Sequence, residues 1–185
     1  MKTHNENEYQ DKFLSFLKKH NLYDEEKYSY LIKKATFIDL NKDENISSIG
    51  CYYIKNEFNI ITKIELYLPK LNDDISVMIA IHEYVHGYLM YSRLNKSYKP
   101  KASEEVLPMF YEYLYYLEEK NQELEEYRSK TIEYVEKESK IKYLLGFLLQ
   151  EELLSIYDYD INKMDIDIKK KSPILVKEIK KSTSI

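Results

Sequence analysis

Apolar and polar positions alternate along this chain with two different periods, and the changes of period divide it into elements. Phe13, Leu14 and Leu17 recur at helical spacing between Tyr9 and Lys19, and Tyr28, Leu31, Ile32 and Phe37 or Ile38 repeat the pattern from Glu25 to Leu40. Two amphipathic helices are therefore expected within residues 1–45. After an Asn41-Lys42-Asp43-Glu44-Asn45 turn, Ile49 to Ile54 and Ile60 to Leu68 are rich in β-branched and aromatic residues and read as strands. Asn56-Glu57-Phe58-Asn59 is the expected hairpin connection, and Pro69, which cannot donate to a ladder, ends the second strand.

Asp73 or Asp74 can cap a following helix from about Ile75 to Leu94. A charged, proline-containing loop from Lys96 to Lys101 leads to a helix from Ser103 to Leu117. The stretch from Glu118 to Lys140 has neither Gly nor Pro and is full of Glu and Lys, so a largely solvent-exposed helix or helix pair is expected. Ile141 to Tyr157 carries leucines nearly all round and predicts a buried helix. The basic tail, 161–185, holds Lys169, Lys170, Lys171, Lys177, Lys180 and Lys181 around Ile174, Leu175 and Val176, as a solvated terminal helix or a partner-docking arm. The pattern predicts a single mainly helical α+β domain: N-terminal helices (1–45), a small antiparallel sheet and the helix after it (46–95), then helices over 102–160 and the tail.

Composition narrows the function classes. The 185 residues carry 44% hydrophobic and 32% charged side chains, as folded globular proteins do. A formal charge of −4 provides no broad positive field for nucleic acid. Cys51 is the single cysteine, so no internal disulfide can form, and the first residues lack the apolar core of a signal peptide. No run approaches the roughly 18 apolar residues of a membrane span, and a cytoplasmic location is expected. Tyr, at 20 residues, serves as an amphipathic core-edge residue, and only 3 Gly argue against phosphate-cradling loops.

The chemistry is carried by His82-Glu83-Tyr84-Val85-His86. On a helix, i and i+4 share a face, so His82 and His86 can direct two imidazole nitrogens at one zinc ion. Glu83 is offset by about 100° from His82 and stands beside such an ion, where a carboxylate can accept a proton from water whose pKa the metal lowers. It can then return that proton to a leaving nitrogen. The bland alternative is a pair of histidines at a core edge.

A catalytic zinc usually has three protein ligands. His4 and His20 lie far upstream, so an acidic third ligand is expected among Glu104, Glu105 and Glu112, the last two being seven residues apart on one helical face. Here the chain resembles the gluzincin metallopeptidases, and more narrowly the thimet oligopeptidase and oligoendopeptidase family. The matching segments are His82-Glu83-Tyr84-Val85-His86 and Glu105-Val106-Leu107-Pro108-Met109-Phe110-Tyr111-Glu112, within the span from His82 to Glu112. Val85 stands where those enzymes usually carry Gly.

The resemblance implies a zinc metallopeptidase that hydrolyses peptide or protein substrates, with Glu105 as third ligand and Glu112 orienting a ligand imidazole. It also implies an oxyanion-stabilising tyrosine on a late helix, for which Tyr143, beside the close-approach position Gly146, is the candidate, the competing reading being a core-edge tyrosine. In gluzincin-like folds the strand before the motif helix is the sheet edge that pairs with an extended substrate, a role open to Ile60 to Leu68 beside that of an ordinary structural strand. Cys51 reads as metal-proximal or as a lone buried thiol. The competing expectations are a catalytically inactive zinc-containing interaction module with 118–140 as its recognition surface, and a regulatory protease with a single protein target.

Overall fold

The computed structural model describes residues 4–39, 50–58, 60–68, 71–93, 101–138, 140–156 and 161–182. The expected turn at 41–45, Pro69 and most of the 96–101 loop lie outside them. Among the described residues the chain is mainly helical with one small sheet, and it divides into two compact units, Met1–Lys99 and Pro100–Ile185.

In the first unit, α1 (His4–Lys19) and α2 (Glu25–Lys34) precede three strands, β1 (Ala35–Asp39), β2 (Gly50–Lys55) and β3 (Ile61–Leu68), and then α3 (Asp74–Leu89) with a 3-10 turn over Met90–Arg93. Asp24 caps α2 by accepting from the Lys27 N–H at 3.0 Å. The helix expected to reach Leu40 stops at Lys34. Thr36, Phe37 and Ile38 enter β1, which pairs in parallel with β3 from Ala35 opposite Ile64 to Asp39 opposite Leu68. The helical spacing of these apolar residues is overridden because β-branched and aromatic side chains fit a pleated surface and β3 supplies the ladder partners.

The sheet is therefore mixed, with order β1-β3-β2, and only the β2–β3 pair is antiparallel as expected. Its hairpin closes where Asn56 Oδ1 accepts from the Phe58 and Ile60 N–H groups at 3.0 Å. A register shift leaves Thr62 unpaired between the Ile54–Lys63 and Lys55–Ile61 partners, and its hydroxyl donates to the Ile54 carbonyl at 3.1 Å. This bulge turns Ile61 to the same buried face as Ile64, Leu66 and Leu68.

Asp73 and Ser76 exchange side-chain and backbone hydrogen bonds at the start of α3, the Ser76 N–H donating to Asp73 Oδ1 at 2.7 Å. Val77, Met78, Ala80, Ile81, Val85, Tyr88 and Leu89 bury this helix. It packs on β3, β2, α2 and α1. At Gly87 an added Cβ would stand 2.7 Å from Leu31 Cδ1, so the missing side chain next to His86 lets α2 approach closely.

In the second unit a 3-10 turn (Ala102–Glu105) enters α4 (Val106–Glu119), followed by α5 (Gln122–Lys137), α6 (Ile141–Leu154) and α7 (Ile161–Ser182). Pro108 is tolerated because it lies in the first turn of α4, where backbone N–H groups have no helical acceptor. α6 was expected to be buried all round. It buries Leu145, Gly146, Leu149 and Leu153 while Leu148 is 51% exposed, because only one side faces α4. α7 packs on α6 and is not wholly solvated: Met164, Ile168 and Ile179 are buried, three positions on one helical face, whereas Ile174 of the tail's apolar patch is 60% exposed.

Close packing of α4 and α6 depends on Gly146, whose hypothetical Cβ would stand 2.2 Å from Met109 Sδ and 3.0 Å from Met109 Cβ. Gly146→Ala is expected to lower stability even though alanine favours a helix by about 1 kcal/mol. Forcing the helices apart costs about 1–3 kcal/mol, which outweighs that gain. A melting temperature equal to or above that of the parent chain would contradict this packing.

Candidate metal centre

α3 brings the first two sequence-predicted donors together. His82 is buried and His86 half-buried, and their Nε2 atoms lie 3.2 Å apart with the rings inclined at 63°. Two nitrogens at that separation, each about 2.05 Å from a shared ion, subtend roughly 103°, close to the tetrahedral value that zinc adopts. The separation is compatible with a shared ion, and the donor chemistry suits zinc among other divalent ions.

Glu83, between the histidines and half-buried, faces the β2 side of α3 closely enough for its charge to act on Cys51. Burial foremost, and then the Glu83 carboxylate, push the Cys51 thiol well above its ordinary pKa. A thiol held protonated in this way behaves as a structural residue rather than as a nucleophile.

The two remaining motif positions serve packing. Tyr84 is buried and stacks on Phe13 of α1, with ring centroids 4.8 Å apart at 22°. Val85 is fully buried, which accounts for a branched apolar side chain where the resembled enzymes carry Gly. One turn on, the Tyr88 hydroxyl donates to the Leu22 carbonyl at 2.7 Å and accepts from the Asp24 N–H at 2.9 Å, tying α3 to the α1–α2 connection.

The second unit holds the downstream candidates. Glu104 and Glu105 are separated by their surroundings: the Glu104 carboxylate accepts from the Lys101 N–H at 2.9 Å and closes the 3-10 turn, whereas Glu105 is buried at the start of α4. Glu112 is half-buried two turns along, and its charge acts on Tyr127 and Arg128 of α5. Tyr143, near the start of α6, is 38% exposed, and the close helix approach expected at Gly146 is present.

Sequence reading did not single out Arg128. Its guanidinium sits 4.7 Å from the ring centroids of both Tyr113 and Tyr116 and 5.5 Å from that of Phe147, and Nη2 donates to Gln150 Oε1 at 3.2 Å. Burial lowers its pKa and the Glu112 charge opposes that shift. The available signal was positional: Leu124, Arg128 and Val135 recur at helical spacing on the buried stripe of α5.

The strand before the motif helix does not play its expected part. β3 is central, hydrogen-bonded to β1 on one side and β2 on the other, so Ile60 to Leu68 has no free edge for a substrate strand. The parallel entry of β1 closes that side.

Comparison of the chain with protein-family models, curated proteins and solved structures gave no match. The gluzincin resemblance therefore rests on the two motif segments themselves. Among the described residues no helix is long and apolar enough to cross a membrane.

Proposed function

We propose that the protein is a zinc-dependent metallopeptidase of the gluzincin type, acting in the cytoplasm, in which His82, His86 and Glu105 hold one zinc ion and Glu83 is the general base. The observation that carries this reading is the 3.2 Å convergence of His82 and His86 Nε2, at the separation a tetrahedral ion requires. With Glu105 as the third ligand the donor set would be two nitrogens and one oxygen. Such a set leaves a fourth position open, as catalytic rather than structural sites do.

When bound, the ion supplies Lewis acidity that polarises the amide carbonyl and lowers the pKa of water toward ~7. Glu83 accepts a proton as the water oxygen bonds to the carbonyl carbon. It then delivers that proton to the amide nitrogen as the C–N bond breaks, so that a carboxylic acid and an amine leave. Glu112 would hold a ligand imidazole in orientation, and the Tyr143 hydroxyl would donate to the developing oxyanion. An extended substrate would pair with β2, whose second edge has no strand partner among the described residues and which packs against α3.

Metal analysis tests the centre. The native chain is expected to carry close to one zinc ion per molecule, and His82→Ala to carry almost none while keeping its circular dichroism. Absence of zinc from the native chain, or its full retention by a folded His82→Ala variant, overturns the assignment.

A further inference from the structure

α7 has a second side that its packing leaves open. At 100° per residue, Lys163, Lys169, Lys170, Lys177, Lys180 and Lys181 fall within an arc of about 140°, and all six are exposed. Ile166, 53% exposed, Ile174, 60% exposed, and exposed Pro173 lie in the same arc. No acidic residue does: Asp165, Asp167 and Glu178 stand at its margins, where Asp165 pairs with Lys169 and Asp167 pairs at 2.9 Å with Lys171.

Seven lysines against three acids give this helix a charge of +4 in a chain whose total is −4. Pro173, Val176, Lys177, Lys180 and Lys181 line a shallow, open depression of about 580 Å³ on this side of the helix.

We propose that this face of α7 is a peripheral docking surface for an anionic phospholipid bilayer. A run of cationic side chains across about 27 Å of helix matches a surface of fixed negative headgroups, each lysine stem lying along the apolar boundary with its ammonium among phosphates and carboxylates. Ile166, Pro173 and Ile174 supply the apolar contact that a bilayer rewards and a purely electrostatic partner does not. The face carries no arginine and no aromatic ring, the groups with which proteins grip phosphates in a fork and stack bases, so nucleic acid is disfavoured.

The test is flotation of the full chain with vesicles of phosphatidylcholine containing about 30% phosphatidylserine, compared with phosphatidylcholine alone. The chain is expected to float with the anionic vesicles only, and to be released by about 0.5 M salt as the charges are screened. The triple variant K170E/K177E/K181E is expected to reduce partitioning at least about tenfold. Should charge reversal disturb the helix by circular dichroism, K170Q/K177Q/K181Q serves in its place. Equal flotation of a folded triple variant overturns the proposal. So does failure to float with anionic vesicles at low salt, including the case in which only DNA or an acidic protein is bound.

Discussion

Glu83→Gln is expected to lower peptide hydrolysis about 10²–10⁴-fold while leaving the metal content unchanged. The amide of glutamine has nearly the volume of the carboxylate, so the packing of α3 should survive. It cannot accept a proton from water at neutral pH, however, and the hydrolytic step loses its base. Glu83 belongs to none of the proposed ligand positions and is only half-buried, so its replacement gives no reason for the ion to leave. The measurement pairs zinc content with turnover of a mixed fluorogenic peptide library. A zinc-loaded Glu83→Gln chain with native turnover would sink the mechanism. A zinc-loaded native chain that cleaves no member of the library, and no folded protein offered to it, would instead favour the non-catalytic zinc module.

Phe13→Ala should be the most damaging single change to the first unit, although it lies nearly seventy positions from the motif. Phe13 is 1% exposed, stacks on Tyr84 and meets Tyr88 edge-on with centroids 6.0 Å apart. Truncating such a ring costs about 3–5 kcal/mol through lost burial and the cavity left behind. In a unit of this size that corresponds to a fall in melting temperature of more than about 10 °C. The same ring seals α1 onto the motif helix, so Phe13→Ala is also expected to weaken zinc retention. A shift of only a degree or two would mean that α1 does not support α3.

The helices were legible wherever one signal acted alone. Asp73 as a cap, the apolar run after it and the histidine pair at i and i+4 all depend on neighbours within a turn or two, and α3 forms where they place it. β1 was not legible, because Phe37 and Ile38 fit a helix stripe and a strand equally well until β3 is present to pair with them. The lysines of α7 were visible in the chain. That they share an acid-free outer arc became clear only when Met164, Ile168 and Ile179 fixed which side is buried.

For the site, the division follows the range of the interactions. Residue order determined His82, Glu83 and His86, since a 3.6-residue repeat sets their relative directions whatever the helix packs against. Order left the third ligand open among Glu104, Glu105 and Glu112, with only the resemblance favouring Glu105; in the structure Glu104 turns back to the Lys101 N–H and Glu105 is buried. The resemblance offered β3 as a substrate edge, and only the tertiary structure showed that both of its edges are already paired. A strand's place in a sheet depends on partners distant in sequence, and no local periodicity encodes which of its two edges they occupy.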